Sequence, residues 1–254
     1  MSLFPIEPPR DLIMPADLQY GSLVFSGIVF AIVVSIALWQ VIVRREPLLL
    51  FCVFGGMAAV IVEPVCDVIG MIYHPEIGQI TAFEAIGRKI PWHVVLLLSW
   101  YYALFAWLLA GSVGKKMTRS GFWKLFFGLV VFSTVLEISP TQQGLWKYYG
   151  EQPFTISGMP LWWYVANAVS ALAGGTLASV ATRGSSGWAR WQIALLMPVG
   201  IAGSHLGVAL PTYIAMNMGW TGWCIQLAGV VTVIYSLVLM QVCARLLFPE
   251  GAAR

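Results

Sequence analysis

Long apolar runs separated by short polar stretches set the pattern of this chain. Seven runs stand out, at 21–43, 48–73, 92–113, 121–138, 160–182, 190–210 and 220–246. A helix needs about 20 apolar residues to cross a bilayer core, and these runs are of that order. They are too long and too continuous for the alternating pattern of a membrane barrel. The pattern predicts an all-α integral membrane protein. A single bundle of seven transmembrane helices occupies 21–246, with an N-terminal tail at 1–20 and a C-terminal tail at 247–254. No internal repeat and no second domain interrupts the series.

Composition agrees. The chain of 254 residues is 59% hydrophobic and 10% charged, with a mean hydropathy of +0.81; soluble domains are about 25% charged. The opening segment "MSLFPIEPPRDLIMPADLQYGS" carries acids and four prolines, and no basic stretch precedes its apolar run, so it does not read as a secretory leader. Cys52, Cys66, Cys224 and Cys243 all lie in apolar runs without a CxxC pair, as small buried hydrophobes do.

The charges give a direction. Arg44, Arg45, Lys115, Lys116, Arg119, Lys124, Arg183, Arg190, Arg245 and Arg254 fall on one side of the seven spans, and Arg10, Arg88, Lys89 and Lys147 on the other. Basic loops stay cytoplasmic, so the N-terminus is expected outside and the C-terminus in the cytoplasm of a bacterial-type plasma membrane. The net charge of +3 is topology information and points to no nucleic-acid partner. In this frame Glu63, Asp67, His74, His93, Glu137 and His205 all map to the outer half of the membrane.

The second run holds the chemistry. In "AAVIVEPVCDVIGMIYHPEIGQ", Glu63, Asp67, Gly70 and His74 are spaced i, i+4, i+7, i+11, which is one helix face. Pro64 is expected to kink the helix and to free the carbonyl of Val60. A carboxylate at the centre of a span costs about 2.5–3.5 kcal/mol on insertion scales, so such residues face the bundle interior and have a task. Two neighbouring carboxyls in a low-dielectric site do not both ionise cheaply; one protonated beside one ionised suits general acid catalysis or proton carriage. Helix packing alone would need no such pair.

Trp92, Trp146, Tyr148, Tyr149, Trp162, Trp163, Tyr164, Trp220 and Trp223 gather towards the outer side. An interfacial belt accounts for most of them. It does not account for Trp100, Tyr101 and Tyr102, which sit deep in the third span. Aromatic faces stabilise a cation without acting as a base. Two outer loops, "HPEIGQITAFEAIGRKIPWH" and "EISPTQQGLWKYYGEQPFTISGMPLWWY", read as compact and ordered, fit to cover a pocket. A retinal photoreceptor is excluded, because the last span has no lysine for a Schiff base. A metal site is disfavoured: no HxxxH or ExxH pair occurs on one helix, and each histidine stands alone. A proton-coupled transporter shares the intramembrane acids but would want a midplane site with polar routes on both sides.

The segment "IVEPVCDVIGMIYHP" resembles the acid-bearing second helix of the small integral-membrane terpene cyclases of the fungal meroterpenoid and bacterial indole sesquiterpenoid type. That resemblance implies a proton-initiated cyclisation of a lipophilic isoprenoid within the membrane lipid, with no cofactor and no metal. It implies Glu63 as the helix-two acid. The fungal members pair that acid with an aspartate in the last helix; here that helix offers only Gln226, so Asp67 or Glu137 becomes the second acid. The expected catalytic set is Glu63, Asp67 and Glu137. The expected substrate-binding set is Trp100, Tyr101, Trp162, Trp163, Tyr164, Asn167, His74, His205 and Trp223. A carotenoid or isoprenoid hydratase uses the same ingredients.

Overall fold

Apolar length is converted into seven helices long and apolar enough to cross a membrane. The structure, a computed structural model, describes residues 6–111 and 116–249. Residues 112–113 of the expected third span, Lys115, Arg254 and the outermost parts of both tails lie outside the described residues. The helices are α1 (Ala16–Arg44), α2 (Leu48–Ala59), α3 (Glu63–Ile69), α4 (Trp92–Ala110), α5 (Arg119–Gln142), α6 (Leu161–Ala181), α7 (Ile193–Asn217) and α8 (Trp223–Leu247). A short 3-10 turn, Gly187–Arg190, precedes α7.

The boundaries move where polar residues mask helix. α1 begins at Ala16 rather than 21, because Asp17 in its first turn suits a helix N-terminus while lowering the local hydropathy. Gln19 is buried there. Its amide donates to the carbonyl of Gly78 at 3.1 Å and its oxygen accepts from the Ile80 N–H at 2.6 Å, so the start of α1 is tied to the first long loop. α5 runs on to Gln142 through Pro140.

The second span departs most from expectation. It is not continuous from 48 to 73. α2 stops at Ala59, a 3-10 turn covers Val60–Val62, and α3 restarts at Glu63. Pro64 lies in the first turn of α3, where its missing N–H is tolerated. The carbonyl of Val60 is not free: it accepts the N–H of Glu63. α3 ends at Ile69, Met71 takes a left-handed conformation at φ 53°, and the chain turns into a short strand.

That strand, β1 (Ile72–Tyr73), pairs antiparallel with β4 (Lys147–Tyr148). The first long loop folds as a hairpin of β2 (Thr81–Ala85) and β3 (Arg88–Pro91), and the second carries a hairpin of β5 (Thr155–Ile156) and β6 (Met159–Pro160). All lie at one end of the bundle, here the hairpin end. Side-chain amides hold the segments together. Gln152 donates to the carbonyl of Gly70 at 2.9 Å, Asn217 donates to that of Ile69 at 2.8 Å, and Gln226 accepts from the N–H of Phe154 at 2.9 Å.

α2, α4, α6 and α7 pack at the centre; α1 leans on α4 and α2, α5 on α6, and α8 on α6 and α7. α1 and α5 are among the least buried spans and scarcely touch each other. With lipid on one side and no hydrophobic drive between helices, small residues let the backbones approach. A Cβ on Gly56 would stand 2.4 Å from the carbonyl oxygen of Ser99, and one on Gly200 2.9 Å from the Cα of Gly174. Gly56→Ala is therefore expected to lower stability by about 1–3 kcal/mol. Gly128→Ala, with nothing within 4 Å of the new methyl, should be neutral or stabilising by up to about 1 kcal/mol. Thermal melts of the two variants in detergent check this.

Candidate active site

The break in the second span turns its polar residues towards a cavity of about 360 Å³ at the hairpin end. That volume lies near the lower bound of about 300–1,000 Å³ for small-molecule pockets. Residues of α1, α3, α4, α5, α6 and α7 all contribute. Glu63 and Glu137 face it, and so do all three histidines of the chain, His74, His93 and His205. Tyr101, Tyr102, Trp146, Tyr148 and Trp163 supply aromatic surface, and Asn167 one amide.

The two glutamates are held differently. The side chain of Glu63 makes no hydrogen bond among the described residues and is reached from the cavity. Glu137, on α5, accepts from the Tyr148 hydroxyl at 2.9 Å. Tyr148 is fixed by its β4 pairing with Ile72, so the loop that follows α5 folds back to dress its own carboxylate. Deeper in, the Tyr101 and Ser133 hydroxyls lie 3.2 Å apart and tie α4 to α5.

Asp67 does not line the cavity. It lies behind His74, with its Oδ2 3.7 Å from His74 Nε2. Neither Asp67 oxygen nor either His74 nitrogen has a hydrogen-bond partner, although both side chains are buried. Arg88, buried on β3, interacts electrostatically with Asp67; it donates to the Tyr149 hydroxyl at 2.8 Å and sits 5.9 Å from the Tyr73 ring centre. The His74 ring is 6.5 Å from that of His93 and 6.1 Å from Trp146. His205 packs edge-on against Trp163 at 4.9 Å. One ligand atom each from Glu63, Asp67 and His74 lies within 4.8 Å of the others, so this trio has the reach to hold a cation. It does so across a turn, without the on-helix histidine pair that the sequence lacks.

Of the expected residues, the structure brings together Glu63, Glu137, His74, His205, Tyr101, Trp163 and Asn167, with Asp67 just behind. Four expected binding residues are elsewhere. Trp223 opens α8 and is 75% exposed, away from the cavity. Trp100 does not reach the cavity surface; its ring packs 6.5 Å from that of Phe25. Trp162 is fully buried between Trp163 and Tyr213, and Tyr164 is likewise buried without reaching the cavity surface. Consecutive helix positions point about 100° apart, so the run Trp162–Tyr164 sends only one ring inward. The sequence reading assigned no role to α1, yet Leu18, Gly21, Ser22, Phe25 and Ser26 form one cavity wall. Their spacing of i, i+3, i+4, i+7, i+8 is a single helix face, and that was the signal available.

Comparison of the chain with family models, with curated proteins and with solved structures finds no match.

Burial, with the charges of His93 and Arg88 beside it, pushes the His74 imidazole down from the ordinary 6.5 to about 3. The unfolded chain thus takes up a proton below about pH 6.5 that the folded protein refuses until about pH 3. This contribution to stability is complete above pH 6.5 and is lost as pH falls through that window, by up to about 1.4 kcal/mol per unit. Melting temperatures measured from pH 7 to pH 4.5 should fall less steeply for His74→Gln than for the unmodified protein.

Proposed function

We propose that this protein is a membrane-embedded enzyme that protonates an isoprenoid-type lipid and guides the resulting carbocation to a ring. The observation that carries the reading is one apolar, aromatic cavity with an unbonded carboxyl, Glu63, and a hydrogen-bonded one, Glu137, on its wall. In this mechanism the Glu63 O–H bond breaks as its proton passes to an alkene carbon or an epoxide oxygen. Positive charge develops on the chain. The faces of Tyr101, Tyr102 and Trp163 stabilise it by about 0.5–2 kcal/mol each. A neighbouring double bond closes the ring, and the Glu137 carboxylate takes a proton from an adjacent C–H as a new double bond forms. Substrate and product are isomers; the cycle closes when Glu137 releases its proton to water and Glu63 takes a proton from water. Asp67 acts through His74, as a positioning residue. Water capture of the cation would make the same site a hydratase.

The charge bias of the loops supports a hairpin end at the outer surface, an N-terminus outside and a C-terminus in the cytoplasm; on this reading the protein is a multi-pass component of a bacterial plasma membrane. A proton-coupled transporter gains less support, because the acids cluster at one end.

The trio of Glu63, Asp67 and His74 favours one second reading, a divalent cation held by two carboxylates and an imidazole with its free positions towards the cavity. Elemental analysis of the purified protein separates the two. The acid mechanism expects less than about one-tenth metal per chain, and activity that survives chelators; a stoichiometric divalent metal selects the second reading.

The direct test incubates membranes with a panel of prenyl alcohols and epoxides in D₂O. An alkene substrate should give an isomer bearing one carbon-bound solvent deuterium; an epoxide should give an isomeric cyclic alcohol whose deuterium, on oxygen, exchanges away. Glu63→Gln should slow product formation at least about 100-fold, the usual contribution of a general acid. Undiminished turnover in Glu63→Gln would overturn the acid assignment.

A further inference from the structure

The cavity has a polar neighbour. A second hollow of about 500 Å³ opens at the hairpin end beside it, between the N-terminal segment at Leu12, Ile13 and Pro15, the last turn of α5 and the tip of the β5–β6 hairpin. Thr141, Gln142, Gln143, Lys147 and Ser157 face it. Among the described residues no carboxylate lines it, and Lys147 is its one charged group. The hydroxyl of Thr141 is buried, with the Tyr164 hydroxyl as its neighbour. The two hollows share one wall, Tyr148, the residue whose hydroxyl holds Glu137. Thr141 stands one helical turn beyond Glu137, about 6 Å along α5.

We propose that this vestibule binds the anionic head of a single-chain amphiphile, a phosphate monoester or a carboxylate, while its isoprenoid chain passes Tyr148 into the cavity. The proposal rests on the reading of the cavity as an isoprenoid site and names the class of its substrate. Its physical argument is the sorting of chemistry. Hydroxyls, carboxamides and one ammonium are the donors an oxyanion needs, and they occur where the bundle meets water. The cavity beyond offers aromatic and aliphatic walls. An uncharged hydrocarbon would leave the vestibule unused, and a free anion would leave the cavity unused. The head is a passenger, not a leaving group: the reacting carbons lie at the other side of Tyr148.

The test is binding, so it needs no turnover. Full-length protein in nanodiscs of zwitterionic lipid is titrated with farnesyl phosphate, with farnesol and with inorganic phosphate. Farnesyl phosphate should bind about fivefold more tightly than farnesol, the size of one partly exposed ion pair. Lys147→Gln should abolish that preference while leaving farnesol binding unchanged. Lys89→Gln, on the other hairpin, should leave the preference intact. Inorganic phosphate should neither bind measurably nor displace farnesol. Equal binding of the two prenyl probes, or a preference that survives Lys147→Gln, would overturn the vestibule while leaving the cavity reading in place. Displacement of farnesyl phosphate by inorganic phosphate at similar concentration would show a simple anion site and overturn it too. Binding of neither prenyl probe would remove the cavity reading and the vestibule together.

Discussion

A membrane-spanning helix that stops short inside its bundle must find partners for the carbonyls and N–H groups it leaves behind, because hydrocarbon offers none. That constraint organises the hairpin end of this protein. The second span breaks at Val60–Val62 and ends at Ile69. The bonds that follow come from distant parts of the chain: Gln152 to the carbonyl of Gly70, Asn217 to that of Ile69, and the N–H of Tyr149 to that of Met71. The loop between α5 and α6 is therefore anchored to the broken helix rather than draped over it. Its anchoring sets β4 against β1, and β4 in turn sets Tyr148 against Glu137. The site is assembled by the same bonds that complete the break.

The early stop also explains the disposition of charge. Had the span continued to 73 as a helix, His74 would have stood at the membrane surface, three turns from Glu63. The left-handed turn at Met71 brings it back, so that Glu63, Asp67 and His74 share one small volume. Arg88 enters the same region from the β2–β3 hairpin and lays its guanidinium by Tyr73 and Tyr149. A buried arginine near a buried acid lowers the cost of both only when its other donors are met, and Tyr149 meets one of them. The polar groups are thus arranged in two depths: Glu63 and Glu137 on the cavity wall, Asp67 and Arg88 behind.

Much of this was legible in the sequence. Apolar run length gave all seven spans, since each run has about the 20 apolar residues that a helix needs to cross a bilayer core. The spacing of Glu63, Asp67 and His74 correctly grouped them, although by way of a continuous helix that does not form. The helical spacing put them on one face, and the turn at Gly70–Met71 reached the same neighbourhood by another path. Ring direction was less legible. Trp162, Trp163 and Tyr164 look alike in sequence, and only the helix's rotation, fixed by tight contacts such as Gly200 against Gly174, decides that Trp163 alone lines the cavity. The wall supplied by α1 was overlooked because serine and glycine in an apolar run carry little hydropathy signal. The clamping of Gln19 on Gly78 and Ile80 was out of reach of any periodicity, being a long-range bond.

α1 is bound to the rest of the molecule in an uneven way. Its hairpin end is clamped by Gln19, its middle contributes a wall of the cavity, and most of its remaining surface faces outward. Apart from Asp17, which lines the cavity from the first turn of α1, the cavity's carboxylates and histidines reside on other segments. Shape and most of the polar chemistry are therefore encoded on separate segments. Exchange of Ser22, Phe25 or Ser26 can reshape the chamber while the acid–base groups keep their supports. A lineage, or a directed-evolution library confined to that one helix, has a route to new ligands that leaves the costly polar machinery untouched.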